Sequence, residues 1–92
     1  MRQETAETIA VQALAWLAED RERFAGFLEA TGAGVNEIRA QAADPAFLGA
    51  VLDFLLQDDA RVRGFCDSAG LSCEAPMQAR RSLPGGAEVS WT

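Results

Sequence analysis

Two cysteines, Cys66 and Cys73, are the strongest nucleophiles and the only thiol metal ligands in the chain, which has no His, no Lys and no Tyr. Without imidazole neither thiol has the usual general base beside it, and His-ligated metal sites are excluded. Two thiolates alone make a poor zinc site. Without Lys there is neither Schiff-base chemistry nor a phosphate-loop lysine. Both cysteines therefore read as small buried hydrophobes. A regulatory disulfide across the turn at Gly70 would require Cα atoms within about 7 Å, and nothing else in the sequence calls for one.

The carboxylates cluster where helices begin: Glu19, Asp20 and Glu22 at one point, Asp58 and Asp59 at another. Interaction with the positive end of a helix dipole accounts for both clusters. No EF-hand loop and no Glu-x-x-His pair is present. Asp53 differs, because it interrupts the most apolar segment of the chain. A charge there must lie on an exposed edge or pair with an Arg. Gly32-Ala33-Gly34 follows a helical pattern and no strand, so it is a turn and not a dinucleotide cradle. Gly26 and Gly64 fall mid-helix, at a cost of about 1 kcal/mol each against Ala, which points to close approach by another helix. No catalytic, cofactor-binding or metal-binding residue is assigned.

One pattern could serve nucleic acid. Residues 27–32 (FLEATG) followed by 35–41 have the spacing of a helix-turn-helix, with Leu28, Gly32 and Ile38 at its landmark positions. That motif prefers a small residue where Leu28 stands. Its would-be recognition helix offers Asn36 and Arg39 beside Glu37, a poor complement to a major groove. Arg80 and Arg81 suit a helix C-terminus. Trp91, in the tail, either folds back on the domain or anchors in a partner.

The elements that must carry these residues are helices. Ile9, Ala13, Trp16 and Leu17 form an apolar stripe over residues 4–18. Asp20 caps a second helix holding Phe24, Phe27 and Leu28, which Gly32 ends. A short third helix covers residues 35–43. Asp44-Pro45 opens a fourth, over 45–57, that is apolar nearly all round and must be buried. Asp58 caps a fifth with Val62, Phe65 and Cys66 inward, ended by Gly70. A sixth runs over 74–83, with Pro76 in its first turn and Pro84-Gly85-Gly86 as its stop. No strand pattern appears.

The sequence echoes itself at an offset of 38 residues. Residues 13–32 and 51–70 share Leu14/Leu52, Leu17/Leu55, Asp20/Asp58, Arg23/Arg61, Gly26/Gly64, Phe27/Phe65 and Gly32/Gly70, with Trp16/Phe54 a near match. Read as a repeat, this gives two three-helix units, each with an apolar face that only the other can cover. The first and fourth helices are then central, and Trp16 is expected in their shared core. Read otherwise, two capped amphipathic helix pairs obey the same physics independently.

Composition sets the frame. At 92 residues the chain is one domain. A net charge of −6 and a hydrophobic fraction of 49% argue for a folded, acidic protein and against a strong nucleic-acid footprint. The N-terminus lacks the apolar core of a signal peptide, and no segment is long enough to span a bilayer. A cytoplasmic, reducing location is expected, with no membrane association.

Residues 10–20 (AVQALAWLAED), 27–32 (FLEATG), 44–59 (DPAFLGAVLDFLLQDD) and 79–85 (ARRSLPG) together resemble a short proteobacterial domain-of-unknown-function family, number thirty-five seventy-two. Ser72-Cys73 departs from it, where a proline is expected ahead of the last helix. The resemblance implies a compact cytoplasmic domain and carries no chemistry with it. The expectation is an all-α bundle of five or six short helices over residues 1–84, with a flexible tail at 85–92. It is read as a non-enzymatic protein–protein interaction or accessory module. Its partner is another protein or a second copy, and it needs no cofactor. A helix-turn-helix nucleic-acid binder or transcriptional regulator is the alternative.

Overall fold

The computed structural model describes residues 1–83; the tail expected at 85–92, with Trp91, lies outside them. Six helices and no strand occur among the described residues, an all-α bundle: α1 (Gln3–Ala18), α2 (Arg21–Thr31), α3 (Val35–Gln41), α4 (Pro45–Leu56), α5 (Asp59–Ala69) and α6 (Ala75–Arg81). The chain chemistry is the expected one at the boundaries of α2, α4 and α5. Asp20 accepts from the backbone amides of Glu22 and Arg23 at 2.9 and 3.1 Å, Asp44 from Ala46 at 3.0 Å, and Asp58 from Ala60 at 2.8 Å. Each satisfies amide donors that a helix start leaves orphaned. Gly32 and Gly70 close α2 and α5 at φ 71° and 70°, a left-handed conformation that disfavours any residue with a Cβ.

The core forms around α1 and α4, which pack on one another as the repeat requires, and α6 packs closely on both. The buried stripe of α1 is mostly small, with Ala6, Ala10 and Ala13 beside Ile9, Leu14 and Leu17, so neighbouring helices can approach closely. From α4 come Phe47, Leu48, Val51, Leu52, Phe54 and Leu55. No polar or charged residue is buried among the described residues. Burial of apolar area is therefore the main stabilising term.

The echo is a structural symmetry, and it is reciprocal. The Phe54 ring of α4 lies over Gly26 of α2, and the Trp16 ring of α1 lies over Gly64 of α5. Phe54 meets Phe27 edge-on at 5.5 Å between centroids, and Trp16 meets Phe65 in the same way at 6.2 Å. The Arg61 guanidinium stacks on Phe54 at 3.9 Å, and that of Arg23 on Trp16 at 3.7 Å. Each contact maps onto the other by adding 38 to one partner and subtracting 38 from the other, or 38 to both. The two mid-helix glycines are thus covered by aromatic rings and not by crossing backbones.

Two expectations need correction. Trp16 is only half-buried, at the edge of the core; Phe27 and Phe65 are the large residues wholly inside. The guanidinium of Arg23 covers one face of the indole, 3.7 Å from its centroid. Cys73 is exposed, not a buried hydrophobe, because it precedes α6 in an exposed turn; Cys66 is buried as expected.

Candidate functional site

The carboxylate most in need of explanation finds its partner in the last helix. Asp53 Oδ1 accepts from Arg80 Nε at 2.6 Å, and Oδ2 from Nη2 at 3.2 Å. Asp53 stands on the exposed edge of α4, and Arg80, with 16% of its side chain exposed against 53% for Asp53, lies flat across Gly49. A Cβ at residue 49 would stand 3.1 Å from Nη1. The bidentate fork docks α6 on α4 and leaves this carboxylate paired.

The cysteines do not form an evident reactive centre. Cys66 Sγ donates to the carbonyl of Ser72 at 3.3 Å. Burial pushes its thiol pKa above the ordinary value, and the neighbouring Cys73 pushes the same way. A nucleophilic cysteine needs the opposite shift. Among the described residues no three His, Cys, Asp or Glu side chains are grouped to hold a metal ion. No helix among them is long and apolar enough to cross a membrane.

The helix-turn-helix candidate forms the corner between α2 and α3. Gly32 turns the chain, and Glu37 folds back so that its Oε1 accepts from the Gly34 amide at 2.8 Å. Asn36 and Arg39 are exposed on a helix of seven residues, of which only Ile38 is buried.

A concave surface lies elsewhere, where sequence reasoning assigned no site. An open groove of about 540 Å³ runs between α1 and the corner joining α3 to α4. Glu4, Glu7, Thr8, Val11 and Gln12 of α1 form one wall; Ala42, Ala43 and Leu48 form the other wall and the floor. Val11 is an apolar side chain 45% exposed there. The two carboxylates sit at the N-terminal end of α1. Glu7 accepts from Gln3 Nε2 at 2.9 Å, and Glu4 pairs with Arg2 at 2.8 Å on the open surface. An exposed pair of this kind exchanges readily and contributes little. The groove therefore offers an apolar floor with an acidic end. The one sequence signal for it is Val11 on the polar side of α1, next to Gln12.

Comparison with known proteins gives few neighbours. The chain is similar to the spectinabilin polyketide synthase system protein NorA of Streptomyces orinoci, 39% identical over 79 residues. That match takes in 80% of this chain but only 4% of the much longer relative. No solved structure matches. The model of a family described as a protein of unknown function, DUF3572, matches residues 3–86, almost the whole described fold, and the chain belongs to that family.

Proposed function

We propose that this domain is a non-enzymatic helical protein–protein interaction or accessory module whose docking face is the groove between α1 and the α3–α4 corner. The observation that carries this reading is Val11, held 45% exposed over a concave surface floored by Leu48 and Ala42. Apolar side chains rimming a concavity and edged with polar groups are the ordinary composition of a docking surface. The similar segment makes up only 4% of a far longer polyketide synthase system protein, which supports an accessory role for a domain of this kind. A nucleic-acid role is less well supported. Arg39 is the one basic residue of α3, and the chain carries a net charge of −6.

The test is a photo-cross-linking amino acid placed at Val11 in the expressed protein, with the same group at exposed Arg63 as control. A discrete adduct with a different protein is expected from position 11 and not from position 63. Equal labelling from both positions would overturn the reading. Submicromolar binding of duplex DNA, lost on Arg39→Glu, would replace it with the nucleic-acid alternative.

A further inference from the structure

The turn between α5 and α6 folds the second cysteine back onto the first. Gly70, at φ 70°, reverses the chain, and the Leu71 amide donates to the Cys66 carbonyl at 2.9 Å. The reversal brings the next peptide over the Cys66 side chain, whose Sγ donates to the Ser72 carbonyl at 3.3 Å. By standard peptide dimensions that oxygen lies about 2.8 Å from the Cα of Cys73, so Cys66 Sγ is no more than about 6 Å from that Cα. The Cys73 side chain adjoins the Cys66 thiol and acts on it through charge and a side-chain hydrogen bond. Cys66 is buried and Cys73 exposed, so the pair straddles the boundary between core and solvent. The Ser72 carbonyl also accepts from the Ala75 amide at 3.0 Å. It therefore keeps a donor when the Cys66 S–H is consumed.

We propose that Cys66 and Cys73 close reversibly into an intramolecular disulfide on meeting a small-molecule disulfide of the glutathione type, stapling the end of α5 to the start of α6. Exposure sets the order of the two exchanges. The Cys73 thiolate attacks one sulfur of the oxidant, whose S–S bond breaks and whose other half leaves as a thiolate. The Cys66 thiol then gives its proton to water and attacks Cys73 Sγ, and the second half leaves as a thiolate. Two protein thiols are oxidised to one disulfide, and the oxidant is reduced to two thiols. Cys66 is the resolving sulfur and not the entering one, because burial shields it and holds it neutral. The bond makes covalent the connection that delivers α6 to α1 and α4 and Arg80 to Asp53. In a reducing compartment such a bond is transient and reports oxidant. The device is independent of the groove.

The test treats the full chain with glutathione disulfide and follows intact mass, peptide mapping and thermal unfolding. The product should be a monomer two hydrogen atoms lighter than the reduced chain, with residues 66 and 73 linked and neither thiol alkylated. Its Tm should rise by at least about 4 °C and return on addition of a dithiol reductant. Cys66→Ser should stop at a glutathionyl adduct on Cys73. Cys73→Ser, a change at an exposed residue, should melt with the reduced wild type and gain neither adduct nor Tm. A wild-type product that stops at the glutathionyl adduct would overturn the proposal. So would a covalent dimer through Cys73, or a linked monomer whose Tm is unchanged or lowered. If Cys66→Ser fails to fold, the wild-type mass and the Cys73→Ser comparison still decide the matter.

Discussion

The indole of Trp16 lies so close over Gly64 that a Cβ on residue 64 would stand 2.8 Å from Cζ2. At the related position a Cβ on Gly26 would stand 3.7 Å from Cζ of Phe54, an ordinary contact. Two glycines equivalent in sequence therefore differ in what they tolerate. Gly64→Ala must displace an indole already held by Arg23 and Phe65 and should destabilise the fold by about 1–3 kcal/mol. Gly26→Ala has room and gains helix propensity, so it should be neutral or stabilising by up to about 1 kcal/mol. Thermal unfolding followed by far-ultraviolet circular dichroism separates the two. Equal effects would refute the ring-over-glycine account.

Trp16 and Phe27 should likewise separate. Phe27 is fully buried and meets Phe47 and Phe54 edge-on. Phe27→Ala should cost about 3–5 kcal/mol and nearly unfold the domain. Trp16 is half-buried, so Trp16→Ala should cost less and leave a cooperative transition at a lower midpoint. Chemical denaturation of both variants checks the order, and a larger loss at Trp16 would contradict it.

The Asp53–Arg80 fork can be read by a double-mutant cycle with Asp53→Asn and Arg80→Met. More than half of the Asp53 side chain is open to solvent, so the coupling should be modest, about 0.5–1 kcal/mol. It should shrink in molar salt as screening shortens the range of the attraction. A coupling unchanged by salt would mean that the pair acts through packing and not through charge.

The thiols should report their surroundings. Exposed Cys73 should be alkylated under native conditions, and buried Cys66 only on unfolding. The Cys66 pKa is raised by folding, through burial first and Cys73 second. The folded state thus favours the neutral thiol. Its contribution to stability is complete below the unfolded-state value and is lost as pH climbs from there through the folded value. Stability should begin to fall near pH 9.0, and Cys66→Ala should flatten that alkaline slope. Urea titrations across the alkaline range, with and without the substitution, test the sign.

Much of this protein was legible in one dimension. The caps at Asp20, Asp44 and Asp58, the stops at Gly32 and Gly70, and the six helices follow from local rules that act within a few residues. The repeat was legible too, since pairs such as Gly26/Gly64 and Phe27/Phe65 keep one spacing. Tertiary structure decided what depends on distance across the fold. The sequence left Asp53 either exposed or paired, and only packing brings Arg80 to it, 27 residues away. The pattern put Trp16 inside, because a helical stripe records which face turns inward and not how deeply each residue sinks. The groove was invisible for a related reason. Two units alike in sequence differ in how their last helices pack, α6 against both α1 and α4 while α3 buries only Ile38, and packing between elements distant in the chain is not written in a local pattern.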